Sequence, residues 1–434
     1  MSFPRYPECK DSGVEWLGEV PVHWYIKPLK YVATYNDEVL PESTSKDYPI
    51  KYVEISDVDE QLGITKWTEY PFASAPSRAR RILKDGDVLI STVRTYLRAI
   101  APVTEPPDGF VGSTGFAVIR PVPGIYYSAL LGYVIRAEWF ISNIISRSVG
   151  VSYPAINASD LVALSLPVPP WKEQKTIARF LDHETAKIDT LIHEQKRLIE
   201  LLKEKRQALV LSAFSLSDSV ETRLANAVNL IYKPVSQKVD ETYIPIGLFN
   251  RGRGLFHKDP RGIEEMGESD FFWVNDGDLI ISGQFAWEGA VALAGEKEQG
   301  KVVSHRYPIL RGKNGIVTTE YIFALLTTRH GDFLLNENSR GAAGRNKPLN
   351  ISALLKEKIT IPAFSLQNKI VEIVHQERQI KAEASRQKKL LLEHRAALIS
   401  AAVTGKIDVR GWQPPAYESA FDEEIRQAEI KVTA

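Results

Sequence analysis

Asp85-Gly86-Asp87-Val88-Leu89-Ile90-Ser91 returns as Asp276-Gly277-Asp278-Leu279-Ile280-Ile281-Ser282, and this pair decides the architecture. Asp-Gly-Asp supplies a tight turn and the apolar run behind it reads as a buried strand, so the element is structure and not chemistry. At the same offset of 191 residues, Tyr52-Val53-Glu54-Ile55 matches Tyr243-Ile244-Pro245-Ile246, and residues 113–120 match 304–311. Chance does not hold one register across three segments. With small shifts the match continues through 157–161 with 350–354, 164–167 with 359–362, and 206–210 with 395–399. The chain is therefore globular half, long helix, globular half, long helix.

The globular halves carry short β-type runs at 87–93, 117–119 and 278–282, bounded by Gly, Pro and Asp, which predicts a mixed α+β fold. From Gln174 to about Phe214, apolar residues recur at Ile177, Leu181, Ile188, Leu191, Leu198, Leu202 and Leu209. That alternation of three and four is a coiled-coil seam, and at 1.5 Å per residue the helix is roughly 60 Å long. The second helix, about 366–403, repeats the pattern through Ile370, Val374, Ile380, Leu391 and Leu398, with a more polar middle at 381–389. It reads as shorter by about one turn, because Ile177 to Arg206 spans 29 positions and Ile370 to Arg395 spans 25. The economical packing is an antiparallel pair with a globular half at each end, related by a pseudo-twofold axis. The expected segments are 1–170, 171–215, 216–364, 365–410 and an acidic tail, 411–434, which is either a disordered end or a short docking helix over 421–430.

Length and composition fit two or three ordinary globular domains: 434 residues, 44% hydrophobic and 25% charged. The only cysteine, Cys9, excludes an internal disulfide and a cysteine-based zinc cluster and fits a reducing compartment. With no leader-like N-terminus and no membrane-spanning run, a cytoplasmic protein without membrane contact is expected. The 54 Lys+Arg balance 54 Asp+Glu, so composition alone does not predict a nucleic-acid partner. The charge is nonetheless clustered, at Arg78, Arg80, Arg81 and Lys84 and again at Arg340, Arg345 and Lys347.

Four motifs that would make the chain an enzyme fail on inspection. Gly295 to Lys301 has the spacing of a phosphate loop, but Val302 stands where a Ser or Thr must hold magnesium. Val168-Pro169-Pro170-Trp171 echoes the loop by which adenine methyltransferases hold the target amine, yet its first residue has no polar group. Gly252 and Gly254 follow no clear strand and open no helix, which excludes a dinucleotide fingerprint. Glu296-Lys297-Glu298 has no counterpart in the other half. His183 and His193 are ten apart on one helix and cannot share a metal, so no metal site and no bound cofactor is expected.

The organisation, the opening from Lys10 to Trp24 (KDSGVEWLGEVPVHW), the passage Leu166 to Gln174 (LPVPPWKEQ) and the ending Ala402 to Trp412 (AVTGKIDVRGW) resemble the specificity subunits of type I restriction-modification enzymes. The resemblance covers nearly the whole chain. It implies two target-recognition domains that each read one part of a split site on double-stranded DNA, with the two conserved helices setting their separation. It implies a non-catalytic role beside two methyltransferase subunits, which use S-adenosylmethionine on adenine. It also implies two restriction subunits that translocate DNA with ATP and Mg2+, although the system could be methylation only.

Half-sites about one helical turn, roughly 34 Å, apart need modules held by a rigid spacer. Four residues of helix correspond to about 6 Å, so helix length is expected to encode the spacing. Base readout needs Arg or Lys for guanine, Asn or Gln for adenine and apolar groups for thymine methyls. The candidates are Arg78, Arg80, Arg81, Arg94, Tyr96, Arg98, Arg147 and Tyr153 in the first half. In the second they are Arg251, Arg253, Lys258, Gln284, His305, Arg306, Arg340, Arg345, Asn346 and Lys347. The stretch 340–347 is the most cationic with the least side-chain bulk. Two rivals stand beside this reading: a coiled-coil protein–protein adaptor, which electroneutrality favours, and an enzyme with an unrecognised site, which the duplication disfavours because the shared anchors are apolar and turn residues.

Overall fold

The computed structural model describes residues 3–236, 241–267, 269–341 and 347–414. The chain forms two compact units, Met1–Leu191 with Lys388–Ala434, and Ile192–Gln387. The division falls inside the long helices, not at their ends, because each globular half buries the near end of both helices in its own core. Ile177, Phe180, Leu181, Leu398 and Ala402 belong to the core of the first unit, and Val210, Ile370 and Val374 to that of the second.

In the first unit the repeated element becomes the strand Val88–Ser91, with all four residues buried. It lies in a four-stranded antiparallel sheet ordered Ile100–Pro102, Val88–Ser91, Phe116–Pro121, Ala33–Tyr35. Asp87 is wholly buried: its carboxylate accepts the backbone N–H of Lys84 at 2.8 Å and is gripped through both oxygens by Arg120, also at 2.8 Å. A second sheet runs Thr68–Pro71, Pro49–Val53, Phe110–Ser113, Ala79–Ile82, with its middle pair parallel. The strand Ser165–Val168 pairs with Tyr25–Pro28 and passes through Pro169-Pro170 into the long helix beginning at Trp171. The Val-Pro-Pro-Trp stretch is thus a strand-to-helix joint, where proline costs no helical hydrogen bond.

The second unit repeats this plan. Leu279–Ile281 sits in the sheet Val228–Leu230, Ile309–Gly312, Leu279–Ile281, Val291–Leu293. Asp278 is buried, accepts the N–H of Asn275 at 2.7 Å and pairs with Arg311. The equivalent of the second sheet is reduced to two antiparallel pairs, Phe271–Val274 with Lys301–Ser304 and Ile246–Leu248 with Leu255–His257, joined by a parallel bridge between Pro245 and Val302. The phosphate-loop spacing folds as a short turn whose Gly295 N–H donates to its own Glu298 carboxylate at 2.9 Å, and Lys301 opens a strand.

One glutamine per unit fastens the helix start to the globular body. Gln174 accepts from Tyr127 N–H at 2.7 Å and donates to the carbonyls of Ile125 and Pro169 at 3.1 and 2.8 Å. Gln367 accepts from Thr318 N–H at 2.8 Å and donates to Ile316 and Pro362 at 3.3 and 2.9 Å. Each is 1% exposed.

The long helices are Trp171–Ser212 and Phe364–Val403, of 42 and 40 residues, so the second is shorter by two residues overall and not by a full turn. It stops at Val403 and does not run to 410. Gly405 takes φ +74, and a Cβ there would fall 2.3 Å from Pro21 Cδ, so the chain turns away on a glycine. Within each unit the two helical segments run antiparallel: Asp189 meets Arg395 at 3.0 Å in the first, and Arg206 meets Glu377 at 2.9 Å in the second. The expected seam is not continuous. Ile177, Leu181, Ile188, Ile370, Val374 and Leu398 are buried, but Leu191 and Leu198 are about half exposed, at 52% and 45%, because the core of their own unit does not extend to them. The expected tail helix, 421–430, lies outside the described residues. Among the described residues no helix is long and apolar enough to cross a membrane.

Candidate nucleic-acid interface

In the first unit the strand Val88–Ser91 leads into a turn that gathers three loops. Thr92 N–H donates to Gly115 O and Thr92 O accepts from Ile156 N–H, both at 2.9 Å. Thr114 N–H reaches Arg78 O at 2.8 Å, and Thr95 Oγ1 meets Ser148 Oγ at 2.7 Å. Arg94 holds a left-handed conformation, φ +51, with its N–H on Pro154 O at 2.7 Å and its guanidinium 4.7 Å from the Tyr153 ring. Arg78, Arg94, Tyr96, Arg147 and Tyr153 therefore share one exposed loop cluster. Val149 and Val151 project beside them, 80% and 102% exposed. They were not among the candidates, and apolar groups at such an edge suit thymine methyls. The signal was the Val149-Gly150-Val151 spacing in a loop with no core to fill.

Two candidates of this unit are otherwise engaged and a third is partly buried. The Arg98 guanidinium binds both carboxylate oxygens of Glu138 at 2.7 Å and Glu60 at 3.0 Å, which raises its pKa. Arg80 lies over the Phe72 ring at 5.0 Å and 3.4 Å from Glu42. Arg81 lies on the strand Ala79–Ile82, and burial lowers its pKa.

The second unit builds the matching cluster with the same hydrogen bonds. Gly283 N–H donates to Arg306 O at 2.7 Å, and Gly283 O accepts from Leu349 N–H at 2.8 Å. This brings Gln284, His305, Arg306, Arg340 and Lys347 to one edge, Arg340 with 85% of its side chain exposed. Lys347 Nζ sits 5.0 Å over the Trp287 ring, a cation–π contact of about 1 kcal/mol. Trp287 occupies the repeat position of Tyr96, so reading the repeat through the turn would have found it. Arg251, at φ +58, joins through its N–H to Glu288 O at 2.8 Å, and Arg253 covers Phe249 at 5.4 Å. Lys258 lines a cavity of about 240 Å3 with Arg306 and Arg261, the last not anticipated. His257 meets Glu298 at 2.8 Å. Arg345 and Asn346 lie outside the described residues. Among the described residues there is no group of three or more His, Cys, Asp or Glu able to hold a metal ion.

Among the described residues the two clusters offer cations, aromatic faces and apolar tips, the groups that contact phosphates and base edges. Residues 21–201 match the family model described as the type I restriction modification DNA specificity domain. The chain is 26% identical over 207 residues to a putative type I restriction enzyme MjaX specificity subunit of Methanocaldococcus jannaschii, covering 46% of this chain and 47% of that protein. It is 28% identical over 152 residues to the type I restriction enzyme HindI specificity subunit of Haemophilus influenzae, covering 34% and 32%. The alignments thus span about half, or less, of these relatives. A chain solved in work on complex assembly and conformational transition of the type I R-M system shares the fold, with a TM-score of 0.57 at 20% identity, over 89% of this chain and 99% of that one. Residues 21–201 thus match a type I restriction modification DNA specificity domain, and the same strand and helix plan is repeated from Val220 to Val403.

Proposed function

We propose that this chain selects the DNA sequence on which a type I restriction-modification enzyme acts, reading one half of a split site with each loop cluster and carrying no catalytic residue itself. The observation that carries this reading is the duplication. One hydrogen-bonded frame presents Arg78, Arg94, Tyr96, Arg147 and Tyr153 in one unit and Gln284, His305, Arg306, Arg340 and Lys347 in the other. A repeated scaffold with unlike exposed side chains is what two different half-sites require. Arg345 and Asn346 are included as candidate contacts by sequence. Arg80 and Arg98, held by neighbouring side chains, act as supports for the loops, and Arg81 is set back on its strand.

Adenine methylation then comes from two methyltransferase subunits with S-adenosylmethionine, and cleavage from two restriction subunits with ATP and Mg2+. The complex works in the cytoplasm. The test is a salt titration of duplex binding by the full chain assembled with its methyltransferase partner. Recognition of DNA through phosphate contacts gives a linear fall of log affinity with log salt, of slope about −0.9 per phosphate. Assembly with the partner and no salt-dependent DNA binding would mean that the chain is a protein–protein adaptor.

A further inference from the structure

Each unit holds a cleft between its globular body and its own segment of the long helices, and equivalent positions line both. In the first unit the cleft is small, about 240 Å3, because Arg98 fills it between Glu60 and Glu138. In the second unit the same three positions of the repeat are Gly289, Arg251 and Arg329. The central cation has become a glycine and both carboxylates have become guanidinium groups.

The space left is about 960 Å3. Among the described residues no hydrogen bond or ion pair involves the side chain of Arg251 or Arg329. Lys203 enters from the helix, and the Trp287 indole N–H is buried there without an acceptor. Gly289 has φ +67, and a Cβ on it would lie 3.4 Å from both Arg251 Cα and Asp332 Oδ1, so glycine keeps the floor open. Asp332 is one of four carboxylates lining the cleft, against six cations.

We propose that this cleft is a phosphate clamp: Arg251, Arg329 and Lys203 hold one backbone phosphodiester of DNA beside the bases that the second unit reads, a contact the first unit lacks. The inference rests on the DNA-recognition reading above. DNA is favoured because the cleft opens onto the candidate readout edge: Trp287 lines it and also carries Lys347 on its ring. A phosphate flanking a read base positions the protein without carrying sequence information. Three cations lining one open cleft, two of them guanidinium groups, suit an oxyanion such as a phosphodiester, which Arg binds through paired N–H donors.

The test uses the full chain with its methyltransferase partner and installs the charges of the first unit, Arg251→Glu with Arg329→Glu. Duplex binding is expected to weaken about tenfold at low salt for every sequence, with the salt slope reduced by about 1 and the methylated sequence unchanged. Arg251→Lys with Arg329→Lys should retain the slope, and Arg179→Glu, outside the cleft, should leave it unaltered. An unchanged slope in the glutamate variant, with an unaltered melting temperature, overturns the clamp while the DNA reading stands. Loss of partner binding instead of DNA binding assigns the cleft to an acidic protein segment and also overturns it. Absence of salt-dependent binding by the unaltered protein overturns the DNA reading, and the clamp with it.

Discussion

Arg94 and Arg98 are four residues apart in one turn, both left-handed, and the structure gives them opposite work. Arg98 is held by two carboxylates, whereas Arg94 lies along an exposed tyrosine ring. Arg98→Ala is expected to cost about 1 kcal/mol or less, since its partners are half exposed, and to leave the methylated sequence as it was. Arg94→Ala is expected to relax the sequence read by the first unit, as mapped by methylated adenine. A changed sequence in the Arg98 variant would show that it also reads bases. Buried Arg206 and Glu377 give the second unit a pH signature. Burial alone would raise the Glu377 pKa, but Arg206 and Lys381 bring it below the ordinary glutamate value. A depressed folded pKa stabilises above the unfolded value, about 4.3, and the stabilisation is lost as pH falls through the folded one. Urea unfolding between pH 3 and 6 should therefore depend more steeply on pH in the natural chain than in Glu377→Gln, and equal slopes would contradict this. Residue type was legible in the sequence, and engagement was not: nothing in the string distinguishes the arginine that Glu138 captures from the one left exposed.

At the scale of elements, the buried Asp-Gly-Asp turns were readable because turn chemistry and an apolar run are local signals. Their role as anchors for Arg120 and Arg311 depends on partners more than thirty residues away. Gln174 and Gln367 were invisible for the same reason, each being one more polar residue on a charged helix. Gln367→Ala removes a buried side chain with three hydrogen bonds and leaves two carbonyls and one N–H unpaired. A loss of about 2–3 kcal/mol is expected by urea denaturation, and one below about 0.5 kcal/mol would contradict the assignment. The seam misled at Leu191 and Leu198 because heptad spacing records where apolar residues stand, not whether something covers them.

For the whole molecule, the duplication was the most legible feature, since an offset of 191 residues survives as the same hydrogen bonds in each unit, Thr92 with Gly115 and Gly283 with Arg306. Each long helix is unbroken through the boundary between the units, so its length is the quantity that the proposed spacing depends on. Inserting four residues after Leu191 and four before Lys388 is expected to lengthen the unread gap in the methylated sequence by about two base pairs. An unchanged gap would assign the spacing to another element. The most direct measurement is genome-wide mapping of methylated adenine in cells expressing this chain with the proposed methyltransferase partner, before and after exchanging residues 1–170 for those of a relative. A split sequence with a fixed gap, changed in one half alone by the exchange, is the expected result. A continuous sequence, or one altered in both halves, would contradict a chain built from two independent readers.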